Sequence, residues 1–105
     1  MKIYKHGNCM LTKKLVHELN MLERHILVLK TVMRGEPIGI LKLAEETEFP
    51  KHKVRYSLRV LEQEGLIEPS LRGAITTNKA KKSIVCLKSD IERLDKKLNQ
   101  IYRGL

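Results

Sequence analysis

Between positions 51 and 59 the segment KHKVRYSLR brings Lys51, His52, Lys53, Arg55, Tyr56 and Arg59 close together. Side chains of these types suit a polyanion that also carries hydrogen-bonding edges. Arg can bond guanine bidentately, His and Tyr can reach base edges or phosphates, and Lys neutralises phosphate. At about 100° per residue, positions 51–64 place Val54, Leu58 and Leu61 on one side of a helix, with Ser57 beside them. His52, Arg55, Tyr56, Arg59 and Gln63 fall on the opposite side. Lys51 and Lys53 flank that outer face near the helix start, where the helix dipole is positive. Such a helix is suited to the DNA major groove, with base-edge contacts from its outer face and phosphate contacts from the lysines.

Other chemistries find less support. His6 and Cys9 have a spacing that could ligate a metal, but two ligands do not make a site, and His17 or His25 would have to join them. Cys86 falls beside an apolar seam and is read as an inert or accessible thiol. No Gly-rich phosphate loop, nucleophile elbow or metalloprotease helix occurs, and the acids do not gather into a catalytic pair. No enzyme activity, metal or cofactor is expected.

The whole chain is compatible with a polyanionic partner. Lys and Arg number 21 against 12 acids, a formal charge of +9 in 105 residues, which points to nucleic acid or an anionic membrane surface. No run approaches the ~18 apolar residues of a spanning helix, and MKIYKHGNCM lacks the apolar stretch of a signal peptide, so a cytoplasmic protein without membrane insertion is expected. Two cysteines, Cys9 and Cys86, do not make a disulfide framework. With no Trp and one Phe, the core must be Leu, Ile and Val.

The elements that must hold the basic helix can be followed along the chain. Residues 1–11 read as an N-terminal arm, 12–77 as one folded domain and 78–105 as a C-terminal helix. Leu15, Leu19, Leu22, Ile26, Leu29 and Met33 recur at alternating spacings of four and three, a helical stripe. Asn20 with Glu23 has the form of a capping box, which predicts a short helix followed by a longer one. Gly35-Glu36-Pro37 ends the pattern, a short extended piece follows at Ile38, and ILKLAEET over 40–47 is a short helix with Ile40, Leu41, Leu43 and Ala44 available for burial. Pro50 suits the first turn of the basic helix, which stops at Gly65. Leu66–Pro69 and Ala74–Thr76, joined by Ser70-Leu71-Arg72-Gly73, predict a hairpin, and Asn78 is the expected N-cap of the last helix.

The passage VRYSLRVLEQEGLIEP resembles the helix-Gly-Leu-Ile segment of winged helix-turn-helix transcriptional regulators of bacteria and archaea, and the resemblance extends over about residues 22–77. In that pattern Val54, Leu58 and Leu61 match buried positions, Gly65 ends the recognition helix and Leu66-Ile67 opens the wing. The resemblance implies a mainly α fold with a small β-hairpin wing. It also implies a helix-turn-helix formed by 40–47 and 50–64, and Arg72 at the wing tip near a minor groove or phosphates. Two features depart from a strong DNA-binding pattern. The wing turn SLRG has one basic residue, and Glu45, Glu46 and Glu48 crowd the end of the preceding helix. Either these acids point away from phosphate, or the grip on DNA is weaker than the net charge suggests.

The strongest periodicity is C-terminal. Ala80, Ile84, Leu87, Ile91, Leu94, Leu98, Ile101 and Leu105 form an unbroken heptad seam. A helix of ~26 residues is about 39 Å long, more than a small domain covers, so the seam predicts a homodimer through Ile84, Leu87, Ile91, Leu94, Leu98 and Ile101. A parallel in-register pair would oppose Asp90 to Asp95, whereas an antiparallel pair sets Ile91 against Leu94 and brings Asp90 near Lys97 and Lys88 near Asp95, so the antiparallel coiled coil is favoured. The helix starts would then lie about 43 Å apart, compatible with recognition helices one DNA turn apart. A helix folded back on the Leu15–Met33 stripe of its own chain is the alternative, and both contacts can coexist.

The reading that results is a dimeric double-stranded-DNA-binding transcriptional regulator. Two alternatives stand beside it. One is a nonspecific, chromatin-like protein that coats DNA through the acid-free stretch of Lys79, Lys81, Lys82 and Lys88. The other is a winged-helix protein-interaction module, favoured by the acidic cluster at Glu45, Glu46 and Glu48.

Overall fold

The computed structural model describes residues 9–105. Four helices and one hairpin follow in the order α1 (Met10–Gly35), α2 (Ile40–Thr47), α3 (Lys51–Gln63), β1 (Ile67–Ser70), β2 (Gly73–Thr76) and α4 (Asn78–Arg103). The arm expected over residues 1–11 falls mostly outside the described residues, and His6 with it; Met10 and Leu11 already belong to α1.

The predicted break at Asn20 does not occur: α1 is one continuous helix of 26 residues. A capping box needs an extended residue at its head, and nothing upstream supplies one. Residues 10–19 contain neither Gly nor Pro, and the apolar stripe crosses Asn20 without changing phase. The stripe also reaches beyond the core. Val28, Leu29 and Val32 are fully buried, whereas Leu15 and Leu19 remain 46% and 36% exposed.

The second helix is anchored by Leu43, which is fully buried, and Thr47, whose hydroxyl donates to the Leu43 carbonyl at 2.6 Å. Leu41, expected among the buried candidates, lies on the outer side and is 64% exposed. Glu48 takes a left-handed conformation (φ 61°) that turns the chain into α3. Pro50 stands one position outside the helix, as its N-cap, with its carbonyl accepting from the amides of Lys53 and Val54 at 3.0 and 3.1 Å.

The hairpin pairs Ile67 with Thr76 and Ser70 with Gly73. Its return strand is held from the other side by Ile38, which bridges Ala74 through two backbone hydrogen bonds of 3.1 and 2.8 Å. Glu36 extends this docking: its carboxylate accepts from the Thr76 amide at 3.1 Å and from the Thr76 hydroxyl at 2.7 Å. The N-cap of α4 is Thr77, with Asn78 the first helical residue. The Thr77 carbonyl accepts from the Ala80 amide, and its hydroxyl ties back to the Gly65 carbonyl at 2.6 Å. One core joins Val28, Leu29, Val32, Ile38, Leu43, Val54, Leu61, Ile67 and Ala80. Burial of each large aliphatic contributes about 1.5–3 kcal/mol. Within α4 Ala80 is fully buried, Ser83, Ile84 and Leu87 are partly so, and the residues beyond them are exposed.

Candidate nucleic-acid interface

The basic helix is positioned by its rear face. Val54 and Ser57 are fully buried and Leu61 nearly so, with Leu58 partly covered, so Lys51, His52, Arg55, Arg59 and Gln63 are left on the exposed side. Val54, packed against α1 and α2 residues in the core, fixes the helix rotation and thereby the direction of the polar side chains.

The outer face is not uniform. Lys53 is exposed on the flank that meets α1, where it shares a cleft with His17, Asn20 and Phe49. Tyr56 is 42% exposed and leans toward α1 as well: the Arg24 guanidinium carbon lies 5.9 Å from its ring centroid, and the His25 ring lies at the same separation. The face directed straight outward is therefore His52, Arg55, Arg59 and Gln63, with Lys51 near its start.

Arg24 and His25 were not legible as site residues, since in sequence they are two polar positions inside an amphipathic helix. The signal that could have found them is Ser57, a hydroxyl among buried positions that must be satisfied by a neighbouring element. Arg24 Nε donates to Ser57 Oγ at 3.0 Å, and Ser57 Oγ lies 2.8 Å from His25 Nδ1. With His25 neutral the chain of bonds is complete: the serine accepts from Arg24 and donates to His25. Burial lowers the His25 imidazole below its ordinary value of 6.5, the Arg24 charge lowers it further, and Glu18 partly opposes both. Burial also lowers the Arg24 guanidinium, against the stabilising effect of Tyr56. This cluster holds α3 against α1 directly behind Tyr56.

The wing tip is a tight turn. Ser70 Oγ donates to the Gly73 carbonyl at 2.6 Å and accepts from the Arg72 amide at 3.3 Å, which leaves Arg72 and Leu71 fully projected. Leu71 was not foreseen as part of a tip that could touch a groove.

Of the acids that crowd the end of α2, Glu46 lines a cleft with Thr31 and Arg34 of α1. The lysine stretch after the wing is partly engaged: Lys79 Nζ donates to the Glu64 carbonyl at 3.0 Å, at the C-terminal end of the basic helix, and Lys88 borders a groove between α1 and α4. Among the described residues no three His, Cys, Asp or Glu gather as a metal site, and no helix is long and apolar enough to cross a membrane. Cys9 and Cys86 are exposed free thiols.

No protein-family profile matches the sequence, and no curated protein matches it. Solved structures do share its architecture. The chain is similar to the activation domain of the phage T4 transcription factor MotA, at 23% identity and a TM-score of 0.53, over 69% of this chain and 83% of that one. It is also similar to a Listeria innocua protein of unknown function, at 17% identity and a TM-score of 0.55, over 90% and 95% of the two chains. A third likeness is to Staphylococcus aureus MarR in complex with salicylate and kanamycin, at 23% identity and a TM-score of 0.53. That match covers 84% of this chain and 63% of the MarR chain. At these identities the likeness is one of fold, and with the helix-turn-helix, the hairpin and the long last helix in place the fold is a winged helix-turn-helix.

Proposed function

We propose that the protein is a double-stranded-DNA-binding transcriptional regulator that acts as a homodimer through α4 and reads the major groove with the helix spanning 50–64. The observation that carries this reading is the composition of the face of α3 that is left exposed among the described residues. Lys51, His52, Arg55 and Arg59 project from it while Val54, Ser57 and Leu61 lock its back. In this reading Arg55 and Arg59 contact base edges, His52 and Tyr56 add polar contacts, Lys51 and Lys53 neutralise phosphate, and Arg72 reaches DNA from the wing. The neighbours include a transcription factor domain, MotA, and MarR, which supports a regulator at the level of fold. The nonspecific coating alternative loses some ground because Lys79, one of its four lysines, is engaged with the Glu64 carbonyl.

The test is duplex-DNA titration across salt with Arg55→Ala, Arg59→Ala, the two combined, and a control charge-matched to the combined variant, Lys96→Ala with Arg103→Ala. The control positions lie on the exposed distal part of α4. A base-reading Arg costs about 1–3 kcal/mol when removed, and its loss relaxes preference at one base position. Equal losses in helix and control variants would indicate coating. No duplex binding at low salt would replace this reading by a protein partner.

A further inference from the structure

The flank of α3 that meets α1 carries Lys53 and Tyr56, and beside Lys53 lies an open cleft of about 140 Å³. Lys53 and the preceding Phe49 line one wall, and His17, Asn20, Glu23 and Arg24 of α1 line the other. Arg24 is held there by the bond from its Nε to Ser57. Three of these side chains are basic, and Glu23 is the one acid among them.

The basic character continues along α1. At about 100° per residue, Lys13 falls within ~40° of His17 and ~20° of Arg24, and it precedes His17 by one turn, roughly 6 Å. Lys13 and His17 are both exposed. Residues 10–17 contain Lys13, Lys14 and His17 and no acid, and Glu18 lies about 140° round the helix from Lys13. A helix start is where the dipole favours acids, yet the first turn of α1 has none and two lysines follow it directly. These lysines oppose helix stability, and among the described residues no ion pair compensates them. What accounts for their placement is an anion outside the helix.

A groove-bound α3 supplies that anion. A helix with its side chains is ~10–12 Å across and the major groove about 12 Å wide, so a helix that fills the groove lays each flank against a phosphate strand. The strand on the Lys53 side then passes over the cleft and meets the stripe of α1.

We propose that α1 is a second DNA-contacting helix, in which Lys13 and His17 grip, together with Lys53 across the cleft, the phosphate backbone of the strand that borders α3. This rests on the DNA reading above and extends it from α3 and the wing to the N-terminal half of α1. Contacts of this kind add affinity and orientation but no base preference. Glu23, in the same cleft, repels the phosphate and limits the grip.

Titration of the full chain with duplex DNA across salt tests the contact, with the slope of log K against log salt as the readout. Each phosphate contact contributes about 0.9 to that slope. Lys13→Ala lowers the slope by about 0.9 for each bound subunit, so a fourfold rise in salt costs it about 3.5-fold less affinity per subunit than it costs the wild type. It weakens related and unrelated duplexes alike, whereas Arg59→Ala alters base preference. Lys13→Arg keeps the wild-type slope, because charge and not packing is read. Glu23→Gln binds about two- to fivefold more tightly, a gain that no folding defect produces. Lys96→Ala, which removes one charge from the exposed distal part of α4, leaves the slope unchanged. The α1 contact is overturned by a Lys13→Ala chain that keeps the full slope, by an equal loss of slope in Lys96→Ala, or by a Glu23→Gln chain that binds no more tightly. A wild type that binds no duplex at low salt overturns the DNA reading and the α1 contact with it. A wild type that binds while Lys13→Ala behaves identically overturns the α1 contact alone.

Discussion

Replacing Gly73 by Ala should detach the wing. Gly73 has φ 129°, a backbone conformation closed to side-chain-bearing residues, and a Cβ there would come within 2.5 Å of the Ile38 carbonyl carbon and 2.6 Å of its oxygen. Those are backbone atoms of the segment that bridges Ala74, so no rotamer change relieves the clash. Forcing the backbone out of this region costs about 1–3 kcal/mol. Parting Ile38 from Ala74 also removes two backbone hydrogen bonds, worth roughly 0.5–1.5 kcal/mol each. The expected loss is therefore about 3–4 kcal/mol, a large share of a domain stability on the order of 5–10 kcal/mol. Urea denaturation followed by circular dichroism at one fixed protein concentration should show the midpoint lowered by about 2 M with the slope unchanged. Gly39→Ala is the control, since a Cβ there meets nothing within 4 Å, and it should shift stability by less than ~0.5 kcal/mol. Equal behaviour of the two variants would refute the reasoning. The functional consequence is that Arg72 loses its fixed position, so Gly73→Ala should weaken duplex binding by a protein that is still folded.

Ser57→Ala should destabilise by about 1–2 kcal/mol, because Arg24 and His25 lose their shared partner while both remain close enough to the surface to recruit water. A change below ~0.3 kcal/mol by urea denaturation would show that the cluster does not hold α3 to α1. The His25 shift sets a pH dependence. Its folded pKa lies below the ordinary 6.5, so the unfolded chain binds the proton more readily, and the stability His25 supports is complete above 6.5 and lost as pH falls toward the folded value. Between ~pH 7 and ~pH 5 the wild type should lose more stability than His25→Gln, and parallel losses in the two would contradict the assignment.

Much of the fold was legible because it is written in local chemistry. Gly35-Glu36-Pro37 cannot continue a helix, Gly65 ends α3, and Ser70–Gly73 is a turn by residue type. The side of α3 that is buried followed from the spacing of Val54, Leu58 and Leu61. The misreadings share one cause: a local signal was credited with an effect that depends on neighbours. Asn20 and Glu23 form a capping box only if the chain is extended before them, and Asn78 lost the cap position to Thr77 because the Thr77 hydroxyl is tied to Gly65, twelve positions earlier.

The division is clearest at the candidate interface. Periodicity and residue type alone determined that one helix has a basic face and that the C-terminal helix has an apolar seam longer than the domain beneath it, because both properties repeat along one helix and need no partner to be seen. Tertiary structure alone decided that Tyr56, alone of that face, leans toward Arg24 and His25. It alone set Lys30, Arg34 and Lys88 at one end of a groove and Glu23 and Asp95 at the other. These residues come from helices separated by tens of positions, and the charge pattern of a groove does not exist until packing brings its two walls together.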